Sequence, residues 1–243
     1  MKLLLLLTVA ATSATGAGLV HTGVLPCPCE VVHGLWAKEA PAGQAGAPAG
    51  LYVEARDATV WGGACHISAQ ADNGGSHAAM GWAFEAGAAA GVSLSGVKVI
   101  AVLEGSSNLA ADEVFRAGER AQRRSAVWVD APTQEAAEAA FAHVRGLSDL
   151  GSCDGFERAS LQVARTGDAF ALEVPGVLEV AGEAIADRAC CTMPESRWYT
   201  PLAESSESVV GVPDRCRFNG EAAGLGSWTF EDENSAYVAR FGA

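Results

Sequence analysis

Two short stretches of the sequence carry residues that could bind a soft metal ion. Cys65 is followed directly by His66, and far downstream Cys190 is followed directly by Cys191. Thiolate sulfur and imidazole nitrogen suit Zn(II) and Cu(I), and three cysteines with one histidine complete a four-coordinate set. The residue types therefore predict a copper or zinc site assembled from two distant segments of the chain.

The adjacent cysteines also permit two other interpretations. Neighbouring side chains in a strand point to opposite faces, so Cys190 and Cys191 can share one ion only from a turn or a frayed helix end. Each can instead form a structural disulfide with a distant cysteine, and the odd total of seven cysteines then leaves at least one thiol without a partner in the chain. Cys65, with an imidazole beside it, can also serve as a redox or catalytic thiol. Metal ligation, disulfide bonding and thiol chemistry all stay open at this point.

The other four cysteines are secondary candidates for metal binding or disulfide bonding. Cys27 and Cys29 flank a proline, and one histidine lies on either side of this Cys-Pro-Cys sequence. These residues could bind copper or zinc. They could equally form disulfides with Cys153 and Cys216. Such bridges would close long loops and stabilise the fold by roughly 2 to 5 kcal/mol.

A further candidate site consists of large aromatic side chains near predicted turns. Trp198 and Tyr199 follow the Cys-Cys pair, and Tyr237 follows Asn234 near the C-terminus. One interpretation is a binding surface formed by these four residues, as in a structural or protein-interaction domain. The other is that the aromatic rings close the edge of a β core, with Asn234 bonding its own backbone.

The remaining titratable residues favour structural roles. Glu54, Arg56 and Asp57 are expected on the solvent face of the first strand. His77 follows a glycine-rich turn and is either a ligand or solvated, and His143 is expected on the exposed side of a helix. The sequence contains no nucleophile elbow, zinc-protease motif, phosphate-binding glycine loop or redox Cys-x-x-Cys pair. A non-enzymatic binding role is therefore predicted.

The N-terminal part of the chain predicts export. Residues 1–17 contain one lysine, an apolar run and then small residues, which is the order of a secretory signal peptide. Residues 18–36 form a short segment that contains the Cys-Pro-Cys sequence, and the Ala/Gly/Pro-rich residues 37–50 are interpreted as a linker. Residues 51–243 are expected to form one domain. The mature protein is therefore expected in the periplasm or outside the cell.

The composition narrows the range of partners. The chain has 16 Lys and Arg residues against 29 Asp and Glu residues, a net charge of −13. This acidity disfavours nucleic acid and anionic lipid as partners. No stretch approaches the roughly 20 apolar residues of a membrane span, so membrane insertion after signal cleavage is not expected. A metal ion or another protein remains as the partner.

Hydrophobic periodicity predicts the elements that position these residues. Met80, Trp82 and Phe84 alternate with small residues, which is typical of a half-buried strand. One helix is predicted, with Pro132 at its first turn and Gly146 at its end. Further strand-like stretches lie at 97–103, 125–131, 159–165, 169–174, 177–182, 227–231 and 235–241. We therefore expect an α+β fold, with a β-rich antiparallel meander or sandwich-like sheet and one main covering helix.

Several stretches, in a fixed order, are distributed over nearly the whole of the predicted domain. They are YVEARDATVWGGACHIS (52–68), GVSLSGVKVIAVLEG (91–105), RRSAVWVDAPTQEAAEAAF (123–141), CCTMPESRWYTPL (190–202) and ENSAYVARF (233–241). Together they resemble the bacterial domain-of-unknown-function (DUF) family 1326, in its exported subgroup. The resemblance implies a single exported domain without an established activity. The recurring Gly-Ala-Cys-His and Cys-Cys elements of that family match Cys65, His66, Cys190 and Cys191 here.

Overall fold

The part of the chain that the computed structural model describes is mostly β-strand. It comprises residues 46–61, 75–110, 121–185, 197–231 and 233–242, all within one unit that spans Ala40–Ala243. The predicted signal peptide, the Cys-Pro-Cys segment and the four residues of the predicted metal site lie outside these described residues.

The strands and the helix of the described residues follow in chain order. The strands are β1 (Ala49–Arg56), β2 (His77–Ala86), β3 (Ala88–Ala89), β4 (Val92–Ser93), β5 (Lys98–Gly105), β6 (Arg123–Asp130), β7 (Glu157–Arg158), β8 (Gln162–Thr166), β9 (Ala169–Val174), β10 (Leu178–Ala184), β11 (Ser206–Phe218), β12 (Trp228–Phe230) and β13 (Ala236–Phe241). The helix, α1 (Gln134–Leu147), lies between β6 and β7, and a single 3₁₀ turn (Glu221–Ala223) lies between β11 and β12.

Most of the strands form one large sheet in the order β7-β6-β5-β2-β1-β13-β11-β10-β9-β8, with β12 paired to β11. All these pairings are antiparallel except that of β6 with β7. The C-terminal strand β13 lies between β1 and β11, so it joins the two halves of the sheet. The sheet is curled, because β8 and β9 pack against β1 and β2. The β-rich fold predicted from the sequence is confirmed.

The two faces of β2 belong to two different hydrophobic layers. Met80, Trp82 and Phe84 face a core that is covered by α1, as the alternation predicts. The residues between them face a second core, which lies inside the curled sheet and includes Val163 and Leu172. The central strands are therefore buried on both faces.

The helix begins and ends later than the sequence predicts. Thr133 is the N-cap, and its hydroxyl oxygen accepts a hydrogen bond from the backbone N–H of Ala136 at 3.1 Å. Pro132 therefore precedes the helix, since a threonine side chain can satisfy a free N–H group and a proline cannot. The helix continues through Gly146 and is capped at Ser148. Among the described residues, no helix is long and apolar enough to cross a membrane.

His143 is not the ordinary surface residue that the sequence predicts. Its ring is half-buried and lies 5.8 Å from the ring of Phe84 and 6.4 Å from that of Phe241. Nε2 is buried and has no hydrogen-bond partner among the described residues. Burial lowers the pKa of His143 below its ordinary value, because the charged form loses hydration.

This lowered pKa predicts a loss of stability in acid. Between the folded and unfolded pKa values of His143 the unfolded chain binds more protons, so the free energy of unfolding falls as the pH drops through the ordinary histidine value near 6.5. We expect His143→Gln to remove this contribution. The measurement is urea unfolding of both proteins across this pH range. A stability difference between them that does not change with pH would contradict the burial effect.

Gly81 generates a second prediction, because its missing side chain lets the two layers of the curled sheet meet. A methyl group added there would lie 2.3 Å from Leu172 Cδ2 and 3.2 Å from Val163 Cγ2, and both neighbours are buried. We expect Gly81→Ala to destabilise the fold by about 1–3 kcal/mol through overpacking, measured by urea unfolding.

The matched control is Gly146→Ala in α1. Gly146 is exposed, and an added methyl group there meets nothing within 4 Å. The same chemical change should therefore stabilise the protein by about 0.5–1 kcal/mol through helix propensity. If both variants were more stable than the wild type, the inference that the two layers are in close contact at Gly81 would be wrong.

Candidate functional site

The candidate site is organised by a buried polar network on β1. Tyr52, Glu54 and Arg56 alternate along the strand, share one face and are at most 1% exposed. The Tyr52 hydroxyl donates to one carboxylate oxygen of Glu54, and Arg56 Nε donates to the other. The expectation that Glu54 and Arg56 lie on a solvent face is therefore wrong.

The network is buried because a later part of the chain covers it. This docking segment (197–203) lies over the outer face of β1. Arg56 Nη2 donates to the carbonyl of Thr200, and Glu54 Oε2 accepts from the backbone N–H of Leu202 at 2.7 Å. The guanidinium of Arg56 also lies over the Tyr199 ring, 5.9 Å from its centroid. The paired charges thus find partners in the docking segment instead of in water.

The protonation of the network follows from its burial. Burial raises the pKa of Tyr52 well above its ordinary value, and the Glu54 charge raises it further, so the phenol stays neutral and donates. Burial alone would lower the pKa of Arg56, but Glu54 outweighs it and raises the pKa above the ordinary value. Arg56 therefore stays charged, and its contact with the Glu54 carboxylate compensates for its burial.

The aromatic residues predicted as a binding surface lie largely in the interior. Tyr199 and Tyr237 are 2% and 0% exposed and pack with Val60 and Trp61 in a small core of their own. The Tyr237 hydroxyl donates to the carbonyl of Tyr199, and Asn108 Nδ2 donates to the Tyr199 hydroxyl at 2.9 Å. These rings close the β core, so they cannot form a solvent-facing surface.

The other two residues of that predicted surface are half-buried at the same place. The ring of Trp198 packs against the small aromatic core. The carbonyl oxygen of Asn234 accepts a hydrogen bond from the backbone N–H of Val60 at 2.8 Å. This bond is made by the backbone carbonyl, so it joins Asn234 to the chain that follows β1; the predicted bond from the Asn234 side chain to its own backbone stays a prediction.

Backbone contacts join the chain after β1 to the start of the docking segment. Trp61 and Arg197 form an isolated antiparallel bridge, and the N–H of Trp198 donates to the carbonyl of Val60 at 2.8 Å. In the sequence, Cys65 comes four residues after Trp61, and Cys191 comes six residues before Arg197. The ends of the two segments that carry the predicted ligands are thus held side by side.

A second polar pair lies at the adjacent end of β2. His77 Nδ1 lies 2.6 Å from Asp57 Oδ2, and the backbone N–H of His77 donates to Asp57 Oδ1 at 2.8 Å. The register of β1 on β2, in which Arg56 is opposite Ala78, places the two residues opposite each other. Sequence analysis predicted only a solvent-facing position for Asp57, because the partner of a polar residue depends on this register.

The two described cysteines are both free thiols. Cys216 lies in β11 and is fully buried, which raises its pKa well above the ordinary value, and the Asp57 charge raises it further. Cys153 is half-buried, and its Sγ donates to the carbonyl of Gly155 at 2.9 Å. Neither thiol is paired as the disulfide interpretation would require. Within the described ranges, no group of three or more His, Cys, Asp or Glu side chains is arranged to hold a metal ion.

Comparisons with known proteins do not add to this description. A scan against protein-family models gives no match, and neither does a search of curated proteins or of solved structures. The resemblance to family 1326 therefore stays a prediction, and function must be inferred from the residues and their geometry.

The buried network predicts a large effect of removing Glu54. Glu54→Ala leaves the Arg56 charge buried without its carboxylate, and we expect a loss of about 3–5 kcal/mol in the free energy of unfolding. Urea or thermal unfolding provides the measurement.

The matched control is another Glu–Arg pair on the same sheet. Glu85 and Arg240 form two hydrogen bonds of 2.7 Å, but their side chains are 53% and 37% exposed. Glu85→Ala should therefore lower the free energy of unfolding by less than about 1 kcal/mol. If the two variants lost the same free energy of unfolding, the Glu54–Arg56 pair would not anchor the docking segment.

Proposed function

We propose that this protein is an exported, non-enzymatic metal-binding protein that handles or buffers a soft metal ion, copper before zinc. The ligands are Cys65, His66, Cys190 and Cys191. The observation that carries the proposal is the bridge between Trp61 and the docking segment. It joins the described ends of the two segments to which these ligands belong.

Chain length supports the meeting of the ligands. An extended residue spans at most about 3.5 Å, so Cys65 lies within about 14 Å of Trp61 and Cys191 within about 21 Å of Arg197. Since Trp61 and Arg197 are bridged, both pairs of ligands are within reach of a common point. The large sequence separation between the two pairs of ligands therefore does not prevent them from binding the same ion.

The surrounding fold supports a fixed site. In this proposal the two layers of the curled sheet act as a sandwich-like frame that carries the site at one end of β1. The buried Glu54–Arg56 pair and its hydrogen bonds hold the docking segment in place, and in this proposal that segment forms one flank of the site. Rigid flanks lower the entropy that is lost when several ligands gather around one ion.

The competing proposal is a disulfide-stapled structural or interaction domain. Two observations weigh against it. With Cys153 and Cys216 free, the five remaining cysteines can form at most two disulfides within the chain. In addition, Tyr199 and Tyr237 are buried and do not offer a partner an aromatic surface.

The proposal predicts that metal retention depends on Cys191. We expect the reduced protein to carry one copper or zinc ion in a mass spectrum from a non-denaturing buffer, and to lose it in acid because the thiolates become protonated. Cys191→Ser should abolish this retention, since serine replaces a thiolate ligand with a hydroxyl group.

The matched control is Cys153→Ser, which removes a described free thiol that is not among the proposed ligands. This variant should keep its metal. Equal metal content in the wild type and in Cys191→Ser would overturn the ligand set. A metal-free wild type with disulfides would favour the stapled domain instead.

A further inference from the structure

A cavity of about 340 Å³ opens between the layers of the curled sheet, at the end where β1 begins. Its lining draws on both layers, with Leu51 on β1, Glu85 on β2, Arg165 on β8, Glu207 on β11 and Arg240 on β13. Ligand pockets of proteins have volumes of roughly 300–1,000 Å³ and are common in the mouths of β-barrels. The volume is therefore that of a site for a small molecule.

Strand alternation aims the two arginines at this cavity. Arg165 follows Val163 by two residues on β8, and Arg240 follows Val238 by two residues on β13. Val163 and Val238 belong to the core inside the curled sheet, and residues two apart in a strand share a face. Charged side chains thus replace the apolar inner face where it reaches solvent, while Leu51 still packs against the inner core.

One pair of these charges is satisfied within the protein. Arg240 Nη1 and Nη2 donate to the two carboxylate oxygens of Glu85, both at 2.7 Å. These hydrogen bonds lower the pKa of Glu85 and raise that of Arg240, and the Glu207 charge raises the pKa of Arg240 further. The pair therefore stays charged and forms a fixed polar wall of the cavity.

The other two charged side chains lack such a partner. Arg165 Nε donates to the carbonyl of Gly167 at 2.9 Å, but Nη2 is 4.0 Å from Asp168 Oδ1, which is beyond hydrogen-bonding distance. Glu207 makes no hydrogen bond and no ion pair to the described residues. The terminal N–H groups of Arg165 and the carboxylate of Glu207 are therefore available to a ligand.

The backbone holds Glu207 in a conformation that residues other than glycine rarely adopt. Its φ is +50°, and in the described part of the chain only one other non-glycine residue, Ala90, has a positive φ. The pairing of β11 with β13 shifts register between Ser206 and Val209. Such irregularities re-aim side chains, and left-handed backbone at a residue other than glycine is destabilising and concentrates at ligand sites. The fold thus keeps a strained residue that presents an acidic side chain to the cavity.

We propose that this cavity binds a small zwitterion of the amino-acid class. The carboxylate of the ligand contacts Arg165, its ammonium group contacts Glu207, and its apolar side chain lies against Leu51. The lining contains two positive and two negative side chains, so its charges cancel and favour neither a simple anion nor a simple cation. Because the Glu85–Arg240 pair is already satisfied, the two opposite charges that remain match the two charges of a zwitterion.

The first test is isothermal titration calorimetry of the full-length wild type. Two zwitterions are used, L-leucine and the dipeptide leucylleucine, each with its N-acetyl derivative, which lacks the ammonium charge, and its amide, which lacks the carboxylate. We expect a zwitterion to bind and its two derivatives to bind at least about tenfold more weakly, because each leaves one charge of the cavity without a partner. The comparison of the two zwitterions decides between a free amino acid and a short peptide.

Variants assign each charge of the ligand to a residue. Arg165→Gln should make the tighter zwitterion and its amide bind equally, because the carboxylate has lost its partner. Glu207→Gln should likewise remove the difference between the zwitterion and its N-acetyl derivative. These are differences between ligands within one variant, so a general loss of stability does not produce them. The matched controls are Arg215→Gln and Glu179→Gln, which change an exposed Arg–Glu pair outside the cavity lining and should leave all affinities unchanged.

The outcomes are independent of the proposed function, because none of the proposed metal ligands lines the cavity. If neither zwitterion binds at millimolar concentration, the inference is wrong. A derivative that binds the wild type as tightly as its parent would also overturn it, since the site would then recognise a simple anion or cation. Discrimination that stays unchanged in Arg165→Gln or in Glu207→Gln would remove that residue from the site and overturn the assignment of the cavity.

Discussion

The burial of Glu54 and Arg56 on β1 is the constraint on which the described structure depends. Two charged groups with almost no exposure can be tolerated only if nearly every donor and acceptor finds a partner. The partners are Tyr52 on the same strand and backbone groups of the docking segment. The network therefore fixes where the docking segment lies, and the segment in turn seals the aromatic core around Tyr199 and Tyr237.

The same strand end organises both polar pairs, Glu54 with Arg56 and Asp57 with His77. The face of β1 that carries Glu54 and Arg56 holds the docking segment, while Asp57, just beyond the strand, holds His77 at the end of β2. The bridge from Trp61 to the docking segment lies a few residues farther along. Polar groups of very different exposure are thus concentrated at one end of a sheet whose remaining interior is apolar.

Local patterns allowed part of this structure to be predicted. Met80, Trp82 and Phe84 alternate with small residues, and period two is a property of the strand itself. The helix was recognisable because its buried alanines and Val144 recur every three or four residues. The same pattern led to a wrong prediction for Glu54 and Arg56. Alternation shows which residues share a face, but it does not show what covers that face. In most sheets a charged face meets water, but here the docking segment covers it.

The sequence by itself determined the periodicity of the strands, the approximate position of the helix and the chemical types of the candidate ligands. Only the tertiary structure decided that Leu202 bonds to Glu54, a residue 148 positions earlier. It also decided that Asp57 faces His77 and that the two described cysteines are unpaired. The physical reason is that strand register and segment docking depend on the summed packing of residues far apart in the chain, which no local pattern records.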